Sequence, residues 1–288
     1  MSFLAVLFLA QSPYTPELEA LMRHRDEKRQ QETAARIVQE NQKNTLASVI
    51  PPALAERLSA CLTSADVKPE DGIADAAKWA GLGGGAYAAQ CKGYALNKAS
   101  RFAEAAAAFE SGGRLPDLDA GTQARLWSQA GNAALVAGDV PRALTDFDQA
   151  LAKPLPATLA TGEIHLDRAR ARVAANDMKG ARADLDKTLQ LGPADPLAWL
   201  LSATLARRMD DLPMARAHIE QAAKLSRNDP DIALEQGVIY ALSGDRDPAA
   251  RAAFLRASQG AAKDSAVAKK AQAYLAQLPA EAAKPVTP

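Results

Sequence analysis

Trp127-Ser-Gln-Ala-Gly-Asn-Ala-Ala-Leu-Val-Ala-Gly-Asp-Val-Pro-Arg-Ala-Leu-Thr-Asp-Phe147 holds the pattern from which the rest of the chain can be read. Trp127 is followed four places on by a small residue, Gly131; Ala143 stands twelve further on, and Phe147 four beyond that. The second half of the pattern recurs as Ala105/Phe109, Ala181/Leu185, Ala215/Ile219 and Ala250/Phe254. Counted through Ala143, successive alanines are 38, 38, 34 and 35 residues apart. The first half recurs as Gly93, Ala169, Ala203 and Gly237, with Ala89, His165, Trp199 and Ala233 four places ahead of them. Gly237 lies thirteen rather than twelve residues ahead of its alanine, because one residue is inserted near Arg246. A spacing of four keeps two side chains on one helix face. Small residues let helices approach closely, and large ones fill the groove between them. Turns are expected at Gly138-Asp139, Asn176-Asp177, Asp210-Asp211 and Gly244-Asp245, so each unit reads as two antiparallel helices. One such hairpin cannot bury both of its faces, and successive units stack.

A bulky residue, a small one four later, an alanine twelve beyond and an aromatic four further resembles the tetratricopeptide repeat. The second unit fits best, with Trp127, Gly131, Ala143, Phe147 and Ala150; the fourth follows with Trp199, Ala203, Ala215, Ile219 and Ala222. The third departs most, with His165 for the aromatic and Arg172 where a tyrosine is common, although Pro193 closes it as in the family. The first and fifth lack the leading aromatic. The resemblance covers about residues 86 to 258. It implies an all-α fold, a right-handed solenoid of antiparallel helix hairpins spanning 51–278. Residues 52–80 read as a degenerate leading unit with Trp79 in its core, and residues 263–278 as a capping helix.

Composition agrees with helices. Of 288 residues 66 are alanine, the best helix former, while aromatics make up only 5%. Lys+Arg and Asp+Glu both number 34, a balance that argues against a nucleic-acid binder, which needs a clustered cationic face. No apolar run approaches the roughly 18 residues of a membrane span. The apolar run Phe3–Ala10 and the small residues Ala10 and Ser12 fit a short signal peptide over 1–12, although no Lys or Arg precedes them. The alternative is an ordinary helix start. Residues 13–50 read as a polar helical arm or spacer, either a solvated helix or a partner-binding arm, and 279–288 as a disordered Pro/Ala-rich tail. The leader places the chain in the bacterial periplasm or outside the cell; without it the chain is cytoplasmic.

Cys61 and Cys91, 30 residues apart, fall on the first helices of adjacent units. They read either as a disulfide that staples the irregular leading unit or as two buried thiols. No catalytic, cofactor or metal site is expected. Gly81-Leu-Gly-Gly-Gly-Ala86 loosely matches a dinucleotide fingerprint, but the helix-like Ile73–Ala80 precedes it where a strand is required, so it reads as an inter-helix turn. His24, His165 and His218 are scattered, and carboxylates are spread over helix faces.

The resemblance implies a binding role instead. In that family the first helix of each unit lines a concave groove, and its second, fifth, ninth, twelfth and thirteenth positions often contact peptide. Carried over by register, these include Tyr94, Asn97, Lys98, Arg125, Ser128, Asn132, Glu163, Leu166, Arg170, Leu200, Thr204, Arg207 and Arg208. Of these, Tyr94, Asn97, Lys98, Arg125, Asn132, Arg170, Thr204, Arg207 and Arg208 are the candidate partner-binding set, since Arg and Asn can hold a peptide backbone or an acidic side chain. The Lys–Asn clamp for acidic chaperone tails is absent in the frame set by Ser128 and Asn132. Leu166, Leu200 and Leu234 either make the groove partly apolar or serve the core. The expected function is a non-enzymatic scaffold for a protein or peptide partner. The alternatives are an accessory subunit of an envelope enzyme or assembly, and a cell-wall glycan binder.

Overall fold

The computed structural model describes residues 50–155, 159–244 and 247–278. The leader-like segment 1–12, the arm up to residue 49 and the tail at 279–288 lie outside the described residues. Among the described residues the only regular structure is helical. Residues 50–191 form one compact body and 192–278 another. The first body holds α1 (Pro52–Val67), α2 (Pro69–Gly81), α3 (Gly85–Lys98), α4 (Phe102–Gly113), α5 (Ala120–Val136), α6 (Val140–Leu151), α7 (Leu159–Ala174) and α8 (Met178–Leu191). The second holds α9 (Pro196–Arg208), α10 (Leu212–Leu225), α11 (Pro230–Leu242), α12 (Asp247–Gly260) and α13 (Ala266–Gln277).

The five hairpins from α3–α4 to α11–α12 turn by the same chemistry. The second residue after the first helix takes a left-handed backbone: Ser100 at φ 59°, Gly138 at 82°, Asn176 at 61°, Asp210 at 63° and Gly244 at 80°. That conformation lets the next amide reach back to the helix end: Arg101 to Leu96, Asp139 to Ala134, Asp177 to Arg172 and Asp211 to Ala206. In three of them an aspartate then caps the second helix. Asp139 accepts from the Arg142 amide, Asp177 from Gly180 and Asp211 from Met214. Between hairpins Asp195 and Asp229 cap α9 and α11, with Pro196 and Pro230 in the first turn.

Within each body successive helices pack on one another, and first helices also meet first helices: α1 with α3, α5 with α7, α9 with α11. No pair of second helices packs to the same extent. The first helices therefore form the inner layer of each stack and the second helices its outer layer.

The distance between the two helices of a hairpin is set by a matched pair of residue sizes. A Cβ added to Gly93 would lie 2.6 Å from the Phe109 ring, one on Gly131 2.9 Å from Phe147, and one on Gly237 2.4 Å from Phe254. Where the second helix carries Leu185 or Ile219, the first carries Ala169 or Ala203. Phenylalanine thus goes with glycine and an aliphatic residue with alanine, and the pairs are buried throughout. Alanines 105, 143, 181, 215 and 250 are also fully buried and allow the close approach from the other helix.

Cys61 and Cys91 are bonded and fully buried, and they join α1 to α3 beside Leu58 and Trp79. Closing a loop of 30 residues stabilises by about 3–4 kcal/mol in the chain-entropy model.

Gly237→Ala tests the size match. Helix propensity alone favours the substitution by about 1 kcal/mol. The clash with Phe254 is expected to reverse that and leave a net loss of about 1–3 kcal/mol in urea unfolding. Gly81→Ala, whose Cβ meets nothing within 4 Å, is the matched control and should be neutral or stabilising.

Candidate functional site

On the inner layer most of the residues expected in a groove are engaged with one another. In the first body Tyr94 Oη donates to Asp66 Oδ1 at 2.6 Å and Lys98 Nζ pairs with the same carboxylate at 2.9 Å, which ties α3 to α1. Burial works to raise the Asp66 pKa, but the hydrogen bonds from Tyr94 and Lys98 outweigh it and hold the carboxyl below its usual range. Asn132 Nδ2 donates to Asp167 Oδ2 at 2.7 Å across α5 and α7, and Arg170 Nη1 reaches Asp167 Oδ1 at 3.1 Å. In the second body Arg207 Nε donates to Glu235 Oε1 at 2.6 Å, linking α9 to α11. Tyr94, Lys98, Asn132 and Arg207 therefore work at junctions between first helices, and Arg170 holds the Asp167 carboxylate from within α7.

The other expected residues are differently placed. Asn97 Oδ1 and its helix neighbour Gln90 Oε1 are buried, without a hydrogen-bond partner among the described residues. Arg125, near the start of α5, is exposed and makes no hydrogen bond or ion pair among the described residues. Yet burial lowers its pKa, against the opposing pull of Tyr87 and Asp119. Thr204 is half-buried and Arg208 exposed on α9. Leu166 and Leu200 are buried, and Leu234 packs on the core of the second body, so these leucines serve packing and do not make an apolar groove.

The left-handed turns, the capped second helices and the size-matched pairs define one repeating unit, and residues 128–196 match the profile of the tetratricopeptide repeat. Over those residues the chain carries tetratricopeptide repeats. Solved structures show the same fold. PilF of Pseudomonas aeruginosa superposes with a TM-score of 0.60 at 14% identity, covering 77% of this chain and 99% of its own. BtubC of P. vanneervenii does so with a TM-score of 0.53 at 14% identity, over 82% and 98%. YrrB, described as a TPR protein with an unusual peptide-binding site, gives 0.50 at 19% identity, over 65% and 92%. A search of curated protein sequences finds no match.

The tetratricopeptide repeats also carry a feature that sequence reading missed. Asp146 and Asp184 occupy the same position of successive repeats, 38 residues apart, each just before the large core residue of its second helix. Both are 2% exposed. Asp184 is caged. His165 Nδ1 lies 2.8 Å from Oδ1, Arg168 donates to both oxygens at 2.7 and 2.9 Å, and Arg172 Nη1 stands 2.9 Å from Oδ2. Burial pushes its pKa up, but these bonds and charges overturn that and leave it below the ordinary value. Thirty-eight residues upstream of His165, Arg168 and Arg172 stand Trp127, Ala130 and Ala134, so Asp146 has no such cage. Its Oδ2 has no partner among the described residues, nor does Trp127 Nε1. Burial, then the nearby charge of Glu110, pushes the Asp146 pKa up to about 7 against Arg142 and Arg114. The signal was the repeated Asp-large-Asp run, Asp146–Asp148 and Asp184–Asp186, which puts a carboxylate next to a core position.

The two histidines among the described residues, His165 and His218, are both hydrogen-bonded, His218 Nδ1 to Ser202 Oγ at 2.7 Å. Among the described residues no group of His, Cys, Asp and Glu is placed to hold a metal ion, and no helix is long and apolar enough to cross a membrane.

The two aspartates lead to opposite predictions. Between the unfolded value near 4 and about 7, native Asp146 holds a proton that the unfolded chain has released, so it subtracts stability as pH rises. Asp146→Asn should be near neutral at pH 5 and stabilising by about 1–3 kcal/mol at pH 8. Asp184→Asn should cost about 3–5 kcal/mol at pH 7 by stranding Arg168 and Arg172. That cost should shrink as pH falls through the depressed Asp184 pKa. Urea melts at pH 5, 7 and 8, with an acid series for Asp184, read both signs.

Proposed function

We propose that this protein is a non-enzymatic scaffold that binds a protein or peptide through the inner, first-helix face of its repeats. The observation that carries the reading is the strip on α3 and α5. There Arg125 of α5 is exposed and makes no ion pair among the described residues. A peptide suits it, because a carboxylate of the peptide satisfies the guanidinium. The likeness in fold to YrrB, whose description names a peptide-binding site, points the same way. In the second body, taken by itself, Arg208 and Thr204 are the proposed contacts, while the engaged residues preorganise the inner face of each body: Tyr94, Lys98, Asn132 and Arg170 in the first and Arg207 in the second. The bonded cysteine pair supports work in an oxidising compartment, the bacterial periplasm or cell exterior.

In-cell photo-crosslinking from position 125, with position 187 on α8 as the outer-layer control, tests this. One dominant adduct from position 125 that is missing from position 187 is the expected result. Arg125→Ala should weaken binding of the captured partner about tenfold and leave the melting temperature unchanged, since the side chain is exposed and makes no ion pair among the described residues. Equal capture from both positions removes the inner face from the account.

A further inference from the structure

The second helices α4 and α6 flank an open cleft of about 580 Å³. Trp127 of α5 lies in its floor, and Glu110, Arg114, Arg142, Thr145, Asp146 and Gln149 form its walls. It lies on the outer layer, opposite the face proposed above for peptide. The charges facing Asp146 are Glu110 and Arg114 from α4 and its cap, and Arg142 and Asp139 from α6 and its cap. Both arginines are committed to Glu110: Arg142 Nε and Arg114 Nη2 each donate to it. Arg114 also lies 5.4 Å over the Trp127 ring, and its side chain is 60% exposed at the rim. Neither arginine hydrogen-bonds Asp146 Oδ2, which is left as a buried acceptor without a partner in the wall of an open cleft.

The next repeat shows what this position demands. Asp184 receives Arg168, Arg172 and His165 from its own chain. Asp146 has Ala130 and Ala134 where those arginines would be rooted, and an open cleft beside it. What Asp184 gains from within, Asp146 can gain only from outside. A compact ammonium can satisfy that one oxygen without the second acceptor that the two-pronged guanidinium fork asks for. The Trp127 indole adds an aromatic wall, and its free N–H reports on anything that enters.

We propose that the cleft between α4 and α6 is a second binding site of this protein, and that it takes a primary alkylammonium group, which seats against Asp146. The group is carried either by a free amine or by a lysine side chain. Its charge favours the carboxylate, so binding releases the proton that Asp146 holds near neutrality. Affinity follows the ionised fraction of Asp146 in the free protein. With a pKa of about 7, that fraction is about tenfold larger at pH 8 than at pH 6.

The test is a titration of the full chain followed by the tryptophan indole N–H resonances, with that of Trp127 assigned from Trp127→Phe. The probes are n-butylammonium chloride and Nα-acetyl-lysine amide, each at pH 6 and pH 8, against sodium chloride at equal ionic strength. A saturable shift of the Trp127 resonance is expected at pH 8, about tenfold weaker at pH 6 and lost in Asp146→Asn, with Trp79 and Trp199 unmoved. A response to both probes assigns the site to lysine side chains as well as free amines. A response to n-butylammonium alone restricts it to free amines. A shift no larger than that with sodium chloride, or one retained in Asp146→Asn, overturns the proposal. As a second readout, the Asp146 carboxyl carbon should titrate at lower pH once the amine is present, and an unchanged titration also overturns it. Arg125 does not line this cleft, so failure here leaves the peptide-face reading standing.

Discussion

Each hairpin is held at a fixed width by one contact, a large side chain of the second helix pressed against a small residue of the first. Everything else in the repeat depends on that width. Phe109, Phe147 and Phe254 lie so close to Gly93, Gly131 and Gly237 that no Cβ fits between them. Leu185 and Ile219 leave room for one methyl, and Ala169 and Ala203 supply it. Interiors packed like crystals tolerate neither the extra carbon nor the void. The capped aspartates and left-handed turn residues then bring the second helix back at the angle this contact requires.

A repeat with its width fixed can vary its other positions at little cost, and the chain uses that freedom differently on its two layers. On the inner layer, variation produces cross-links between first helices: Tyr94 and Lys98 to Asp66, Asn132 to Asp167, Arg207 to Glu235. On the outer layer it produces two buried aspartates with opposite electrostatics, one caged by Arg168, Arg172 and His165 and one facing a tryptophan and two alanines. A carboxylate stripped of water is stable only with charges to replace that water. The difference between Asp184 and Asp146 is whether the chain supplies them.

Most of the fold was legible in the sequence, because the contact that fixes it joins residues at constant spacing. The columns led by Gly131 and Phe147 place the hairpins, and the Gly-Asp and Asn-Asp pairs place the turns. The size match of glycine with phenylalanine and alanine with leucine was also there to be read. The groove was less legible. Register alone put Asn132 and Arg207 on the inner face, but whether each is spent on a neighbour depends on Asp167 and Glu235, supplied by the next first helix. The aspartates were hidden for the same reason. Asp146-Phe-Asp148 and Asp184-Leu-Asp186 look alike along the chain, and the residues that separate their fates sit on the partner helix, at 130 and 134 against 168 and 172.

The central claim is that paired residue size sets the helix spacing. It is tested most directly by a double-mutant cycle on Gly93 and Phe109, read by urea unfolding. Gly93→Ala should destabilise through the clash, and Phe109→Leu through the lost ring volume, each by about 1–3 kcal/mol. The double variant reproduces the Ala169/Leu185 pair, so it should recover at least about 1 kcal/mol relative to the sum of the singles. Strict additivity would mean that the two positions do not share one contact, and the size-matching account would be wrong.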